Sequence, residues 1–98
     1  MPRKLYSKTG SSCRVHFELP ADVAAKKVSL LGDFNEWNPK THVLKKKKDG
    51  SFWLDVYLTT GATYRYKFLL DGKRWENDWD GEAYLPNEHG TEDSAITV

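Results

Sequence analysis

Phe52-Trp53-Leu54-Asp55-Val56-Tyr57-Leu58, then Thr59-Thr60-Gly61, then Tyr64-Arg65-Tyr66-Lys67-Phe68-Leu69-Leu70 is the stretch that decides the fold. Phe52, Leu54, Val56 and Leu58 alternate with Trp53, Asp55 and Tyr57, and Tyr64, Tyr66, Phe68 and Leu70 alternate with Arg65, Lys67 and Leu69. A period of two sends successive side chains to opposite faces of a strand, so each run predicts a strand with one buried face. The glycine-bearing turn between them makes the two strands consecutive and antiparallel.

The same pattern extends in both directions. Upstream, Lys48-Asp49-Gly50-Ser51 is a hairpin turn, since Asp-Gly readily takes up positive φ, and it links a strand over 42–47 to the run at Phe52. Val15, Phe17 and Leu19 alternate with Arg14, His16 and Glu18, predicting a strand over 13–19 that ends at Pro20. A strand over 27–31 leads into Gly32-Asp33-Phe34-Asn35-Glu36-Trp37-Asn38-Pro39, a run of turn formers that encloses two aromatic rings. Downstream, Asp71-Gly72 marks another hairpin before 73–77, residues 78–90 have no period and read as a loop, and 94–98 closes the sheet. About seven short antiparallel strands with frequent turn signals and no helical periodicity predict an all-β, immunoglobulin-like β-sandwich.

A length of 98 residues suits one such domain. The division expected is a flexible arm at 1–12, polar and ending in Thr9-Gly10-Ser11-Ser12, and a folded unit at 13–98. Four Trp, five Tyr and four Phe supply much of the apolar area for a small core. Fifteen Lys and Arg against fourteen Asp and Glu leave a net charge of +1, which argues against a nucleic-acid partner. Lys45 to Lys48 read as charges that keep an edge strand from pairing with other chains. A single cysteine, Cys13, and an N-terminus without an apolar run fit a reducing, cytoplasmic setting, and no stretch has transmembrane length, so no membrane partner is expected.

Chemistry-bearing motifs are sparse. Asp33, Glu36, Glu76, Asp78 and Asp80 offer carboxylates, but all lie in polar turns, where solvated charges are the expectation and a catalytic pair is not. No nucleophile motif, phosphate loop or dinucleotide fingerprint is present, so no catalytic residue and no cofactor is expected. Glu76-x-Asp78-x-Asp80-Gly81 opens like a calcium loop, yet its closing position is Asn87, which lacks the bidentate carboxylate, and His16, His42 and His89 have no ligand spacing; no metal is expected. Trp37 and Trp75 stand out instead, because each lies in a polar loop or turn and Lys67 points outward from its strand. Flat rings with a few polar neighbours suit the apolar C–H faces and hydroxyl rims of sugars, although a loop Trp serves equally well as packing.

Val28-Ser-Leu-Leu-Gly-Asp-Phe-Asn-Glu-Trp-Asn38, then Tyr66-Lys-Phe-Leu-Leu-Asp-Gly72 with Trp75 after it, then Gly90-Thr91 before a closing strand, together resemble the family-48 carbohydrate-binding modules. That family includes the glycogen-binding domain of the AMP-activated protein kinase β subunit and the early-set domains of isoamylases and branching enzymes. The resemblance implies non-catalytic binding of α-1,4-glucan, as glycogen, starch or malto-oligosaccharide, through Trp37, Lys67 and Trp75. Two family contacts match poorly: a Leu is replaced by His89 and an Asn by Asp93, whose carboxylate still accepts hydrogen bonds, while Asn87 is a replacement amide. Trp79 extends the platform or covers the end of the sandwich. Trp53 and Tyr57, on an outward phase, serve as a second surface or as packing. The alternative reading is a docking module without sugar binding, whose partner is a glucan-metabolising enzyme or a kinase.

Overall fold

The computed structural model describes the whole chain, Met1 to Val98. Nine strands follow one another: β1 (Arg3–Tyr6), β2 (Ser12–Leu19), β3 (Val28–Gly32), β4 (Lys45–Lys46), β5 (Phe52–Thr59), β6 (Thr63–Leu70), β7 (Arg74–Glu76), β8 (Ala83–Pro86) and β9 (Glu92–Thr97). Short 3-10 turns occupy Ala21–Val23 and Asp33–Asn35. No helix is long and apolar enough to cross a membrane. One antiparallel sheet has the order β1-β2-β5-β4 and the other β3-β6-β9-β8, with β7 also paired to β6. The two pack face to face as an immunoglobulin-like β-sandwich.

The alternating runs account for the core. Cys13, Val15, Phe17 and Leu19 from β2 and Phe52, Val56 and Leu58 from β5 are buried with Tyr66, Phe68 and Leu70 of β6 and Ile96 of β9. Phe17 sits at the centre, its ring meeting Tyr66 edge-on with centroids 5.0 Å apart. This tilted contact is favoured because the positive edge of one ring faces the negative face of the other. Outward positions of β6 then necessarily carry Arg65, Lys67 and Leu69, and β7 lays Trp75 beside Leu69.

Four sequence expectations are corrected. Arg3–Tyr6 do not belong to a loose arm: they pair with β2, from Arg3↔His16 to Tyr6↔Cys13. The open backbone edge of β2 accepts them, and Lys4 reaches across the sandwich to donate to the Thr97 carbonyl at 2.8 Å and to pair with Glu82. The segment expected as a strand over 42–47 divides its bonding instead. Leu30 N–H donates to the His42 carbonyl and Leu44 N–H to the Val28 carbonyl, after which Lys45 and Lys46 pair with Trp53 and Phe52 in the opposite sheet. The loop expected over 78–90 contains β8, because Ala83–Pro86 find an open edge at β9.

Asp78 is the fourth correction. It is not a solvated turn charge but is 4% exposed. Tyr66 Oη donates to its Oδ2 at 2.7 Å and Asp80 N–H to its Oδ1 at 3.0 Å, while its own N–H donates to Ser94 Oγ at 2.9 Å. Burial pushes its carboxyl above the usual range, against the pull of the Tyr66 hydroxyl. Burial, followed by the charge of Asp78, likewise raises the Tyr66 phenol.

Candidate functional site

The loop after β3 is built around one amide. Asn35 Oδ1 accepts from Gly32 N–H at 3.0 Å, and its Nδ2 donates to the Leu30 carbonyl and to His42 Nδ1, both at 2.8 Å. These bonds fold the chain back so that Glu36 and Trp37 take left-handed backbone conformations, φ 56° and 57°, with Trp37 N–H bonded to the Gly32 carbonyl. Non-glycine residues rarely adopt this region, so the loop's bonds must hold them there. Asp33 then fixes the ring: its Oδ1 accepts from Trp37 Nε1 at 3.1 Å, and its Oδ2 accepts from the backbone N–H of Arg65 at 2.9 Å. The indole is thereby tied to β6.

The orientation of the Asn35 amide also fixes the state of His42. Because Nδ2 already donates to a carbonyl and Oδ1 already accepts from an N–H, His42 Nδ1 is an acceptor, and the ring is the neutral tautomer protonated at Nε2. Burial lowers the pKa of His42 from 6.5 in the same sense. A folded pKa below the unfolded one means that the unfolded chain binds more protons, so this group's contribution is present above pH 6.5 and is lost as pH falls through the folded value. Urea titrations between about pH 7.5 and about pH 5.5 should show stability declining in the wild type and declining less in His42→Asn. Parallel declines in the two proteins would place the pH sensitivity elsewhere.

Trp37 and Trp75 line one open cleft of about 660 Å³ together with Asp33, Arg65, Lys67, Asn87, Glu88, His89, Thr91 and Asp93. All five residues singled out in the sequence lie along its walls, supplied by the loop after β3, by β6 and β7, by the β8–β9 turn and by β9. Trp75 is half exposed. Lys67, with 15% of its side chain exposed, donates to Thr91 Oγ1 at 3.4 Å and lies 3.8 Å from Asp93 Oδ1. The cleft thus has two indoles, a cation with hydrogen atoms to spare and a polar rim. Arg65, Asp33 and Thr91 also line the cleft, although the sequence assigns none of them a part in binding. Arg65 shares the outward phase of Lys67, which was the available signal, whereas the long-range bonds of Asp33 leave no trace in local sequence.

The sequence profile of carbohydrate-binding module 48 (isoamylase N-terminal domain) matches residues 7–88. The chain belongs to this family. Relatives include the 1,4-alpha-glucan branching enzymes GlgB of Aquifex aeolicus, 37% identical over 78 residues, covering 70% of this chain and 12% of the enzyme. That of Mesorhizobium japonicum is 36% identical over 58 residues, covering 59% and 8%. That of Agrobacterium fabrum is 39% identical over 49 residues, covering 46% and 6%. The chain therefore spans a small fraction of the length of these enzymes.

Several side chains of the module are already engaged. Asn87 Nδ2 donates to Thr91 Oγ1 and Asp93 Oδ1, and its Oδ1 accepts from the N–H groups of His89 and Thr91, so its amide closes the β8–β9 turn. Asp93 is 8% exposed. His89, by contrast, is largely exposed on the rim. On the opposite sheet, Trp53 stacks on His16, with centroids 5.8 Å apart and planes 17° apart, and receives Lys45 Nζ 5.0 Å from its ring centre. His16 bonds Asp55 and Glu18, and Lys47 also bonds Glu18, so much of the lysine run is spoken for. Trp79 is half exposed, with Nε1 donating to Glu76.

Proposed function

We propose that this module binds α-1,4-linked glucan of the glycogen or starch type and performs no catalysis of its own. Trp37 and Trp75 stack on the C–H faces of glucose units, Lys67 donates to their hydroxyls, and Asn87 and Asp93 complete the polar wall. The observation that carries this reading is the meeting of these residues in one cleft, in a chain that belongs to a carbohydrate-binding family. A ring already fixed by Asp33 loses little freedom on stacking, which favours a contact that otherwise exchanges one set of hydrogen bonds for another. The buried, unpaired Cys13 suits a reducing, cytoplasmic setting.

Affinity should be modest, because an open cleft replaces good water contacts with sugar contacts; about −4 to −8 kcal/mol is expected, millimolar to micromolar. Titrating maltoheptaose by calorimetry or NMR, with cellohexaose as control, tests this directly. Saturable binding of the α-linked oligomer alone is expected, and Trp37→Ala or Trp75→Ala should weaken it by on the order of 1–3 kcal/mol, by analogy with stacking on nucleic-acid bases. Equal affinity in all three proteins would move the site away from the cleft.

A docking role is the second reading, and one observation favours it. Leu5, Arg14 and Tyr57 form a cross-strand row on the sheet opposite the cleft, with Leu5 58% and Tyr57 71% exposed. Such a face suits a further domain of a glucan-metabolising enzyme or a kinase subunit. A folded wild type that ignores maltoheptaose would favour it.

A further inference from the structure

The two cations of the cleft stand on one anion. Arg65 and Lys67 are two residues apart on the outward face of β6, about 7 Å along the strand, where their charges repel. Asp93 of β9, opposite Leu85 of β8, lies between them. Its Oδ2 accepts from Arg65 Nη1 at 3.3 Å, while its Oδ1 accepts from Asn87 Nδ2 at 3.0 Å and lies 3.8 Å from Lys67 Nζ. Arg65 is further held by the Pro86 carbonyl at 3.0 Å and Lys67 by Thr91 Oγ1. At 8% exposure and with both oxygens engaged, the carboxylate has little left to offer a ligand.

From this we infer that Asp93 is a positioning residue rather than a sugar ligand. It gathers Arg65, Lys67 and the Asn87 turn into one wall and leaves a Lys67 ammonium hydrogen directed into the cleft. The inference rests on the glucan-binding reading and assigns Asp93 a role within it. It explains why a carboxylate serves here: an amide in its place would present one acceptor and one donor to three donors, leaving a donor against a donor. Hydrogen bonds to an ionised acceptor are also stronger than those to a neutral one, so removing the charge loosens the hold on both cations.

Asp93→Asn, which keeps the shape and removes the charge, tests this against maltoheptaose. The expected loss of affinity is about three- to tenfold, and adding the same change to Lys67→Met should cost clearly less than it does in the wild type, since the part of its effect that passes through Lys67 is already gone. Losses that multiply in full in the double variant would show that Asp93 does not act through Lys67, and an unchanged affinity in the single variant would remove its role; either result overturns the inference. A second measurement does not depend on sugar. The Lys67 ammonium signal in 15N NMR should be shielded from exchange in the wild type and should broaden or move in Asp93→Asn, with Lys67→Met identifying the peak. A signal indifferent to Asp93 overturns the anchoring, whereas a wild type that shows the anchored signal but binds no maltoheptaose overturns the glucan-binding reading instead.

Discussion

Gly32→Ala is expected to destabilise the domain by on the order of 3 kcal/mol and to displace Trp37. Gly32 has an extended backbone, φ −169°, so the reason is space and not conformational freedom. A Cβ there would lie 2.7 Å from the carbonyl oxygen of Arg65 and 2.7 Å from Cε2 of Phe34. The ring could swing aside, but the carbonyl belongs to β6, whose register with β3 places Tyr66 opposite Gly32. The strands would have to part where Asn35 and Trp37 bond to the Gly32 main chain. Urea denaturation gives the cost, and the near-ultraviolet circular dichroism of the tryptophans reports the loop. Removing the Phe34 ring as well should recover little of the stability. A loss below about 1 kcal/mol would mean that β3 and β6 separate more easily than this packing implies.

Tyr66→Ala should be costlier still, on the order of 4 kcal/mol or more, because it empties a fully buried site and strips a buried carboxylate of its hydroxyl donor. Tyr66→Phe isolates the second effect and should account for about 1.5–3 kcal/mol at neutral pH. The sign of its pH dependence follows from Asp78. Its folded pKa is raised above 3.8, so its protonated form favours folding below that value, and this advantage is lost as pH rises through the folded pKa. Without the phenol the anion fares worse, so the gap between Tyr66→Phe and wild type should be wide at neutral pH and should narrow toward about pH 4. A gap that stays constant on acidification would show that the hydroxyl supports the fold by packing alone.

The long strands were legible because burial imposes a period of two, as in β2, β5 and β6, and because Asp-Gly turns have a conformational reason to be where they are. Two strands escaped for a shared reason. Residues of β1 and β8 are mostly exposed, so neither carries the periodicity that an inward face writes into sequence. Both exist because a neighbouring backbone edge was open, a fact about tertiary arrangement. Asp78 reads as a turn charge because its partner Tyr66 lies twelve residues away in β6. In the cleft, the outward phase of Lys67 was readable from β6, while the grouping of Trp37, Trp75 and the β8–β9 turn followed from family resemblance. The restraint of Trp37 by Asp33, and the engagement of Asn87 and Asp93 with protein groups, depend on contacts that local pattern does not encode.

The segment from His42 to Lys46, bonded first to β3 and then to β5, has a mechanical meaning. Two layers joined only by side-chain packing can shear past one another, since apolar contact is non-directional. Here covalent backbone spans the gap within five residues and is riveted at both ends, so a load on one layer passes directly into the other. A pull on a ligand held in the proposed glucan cleft would therefore be carried by both sheets and not by one alone.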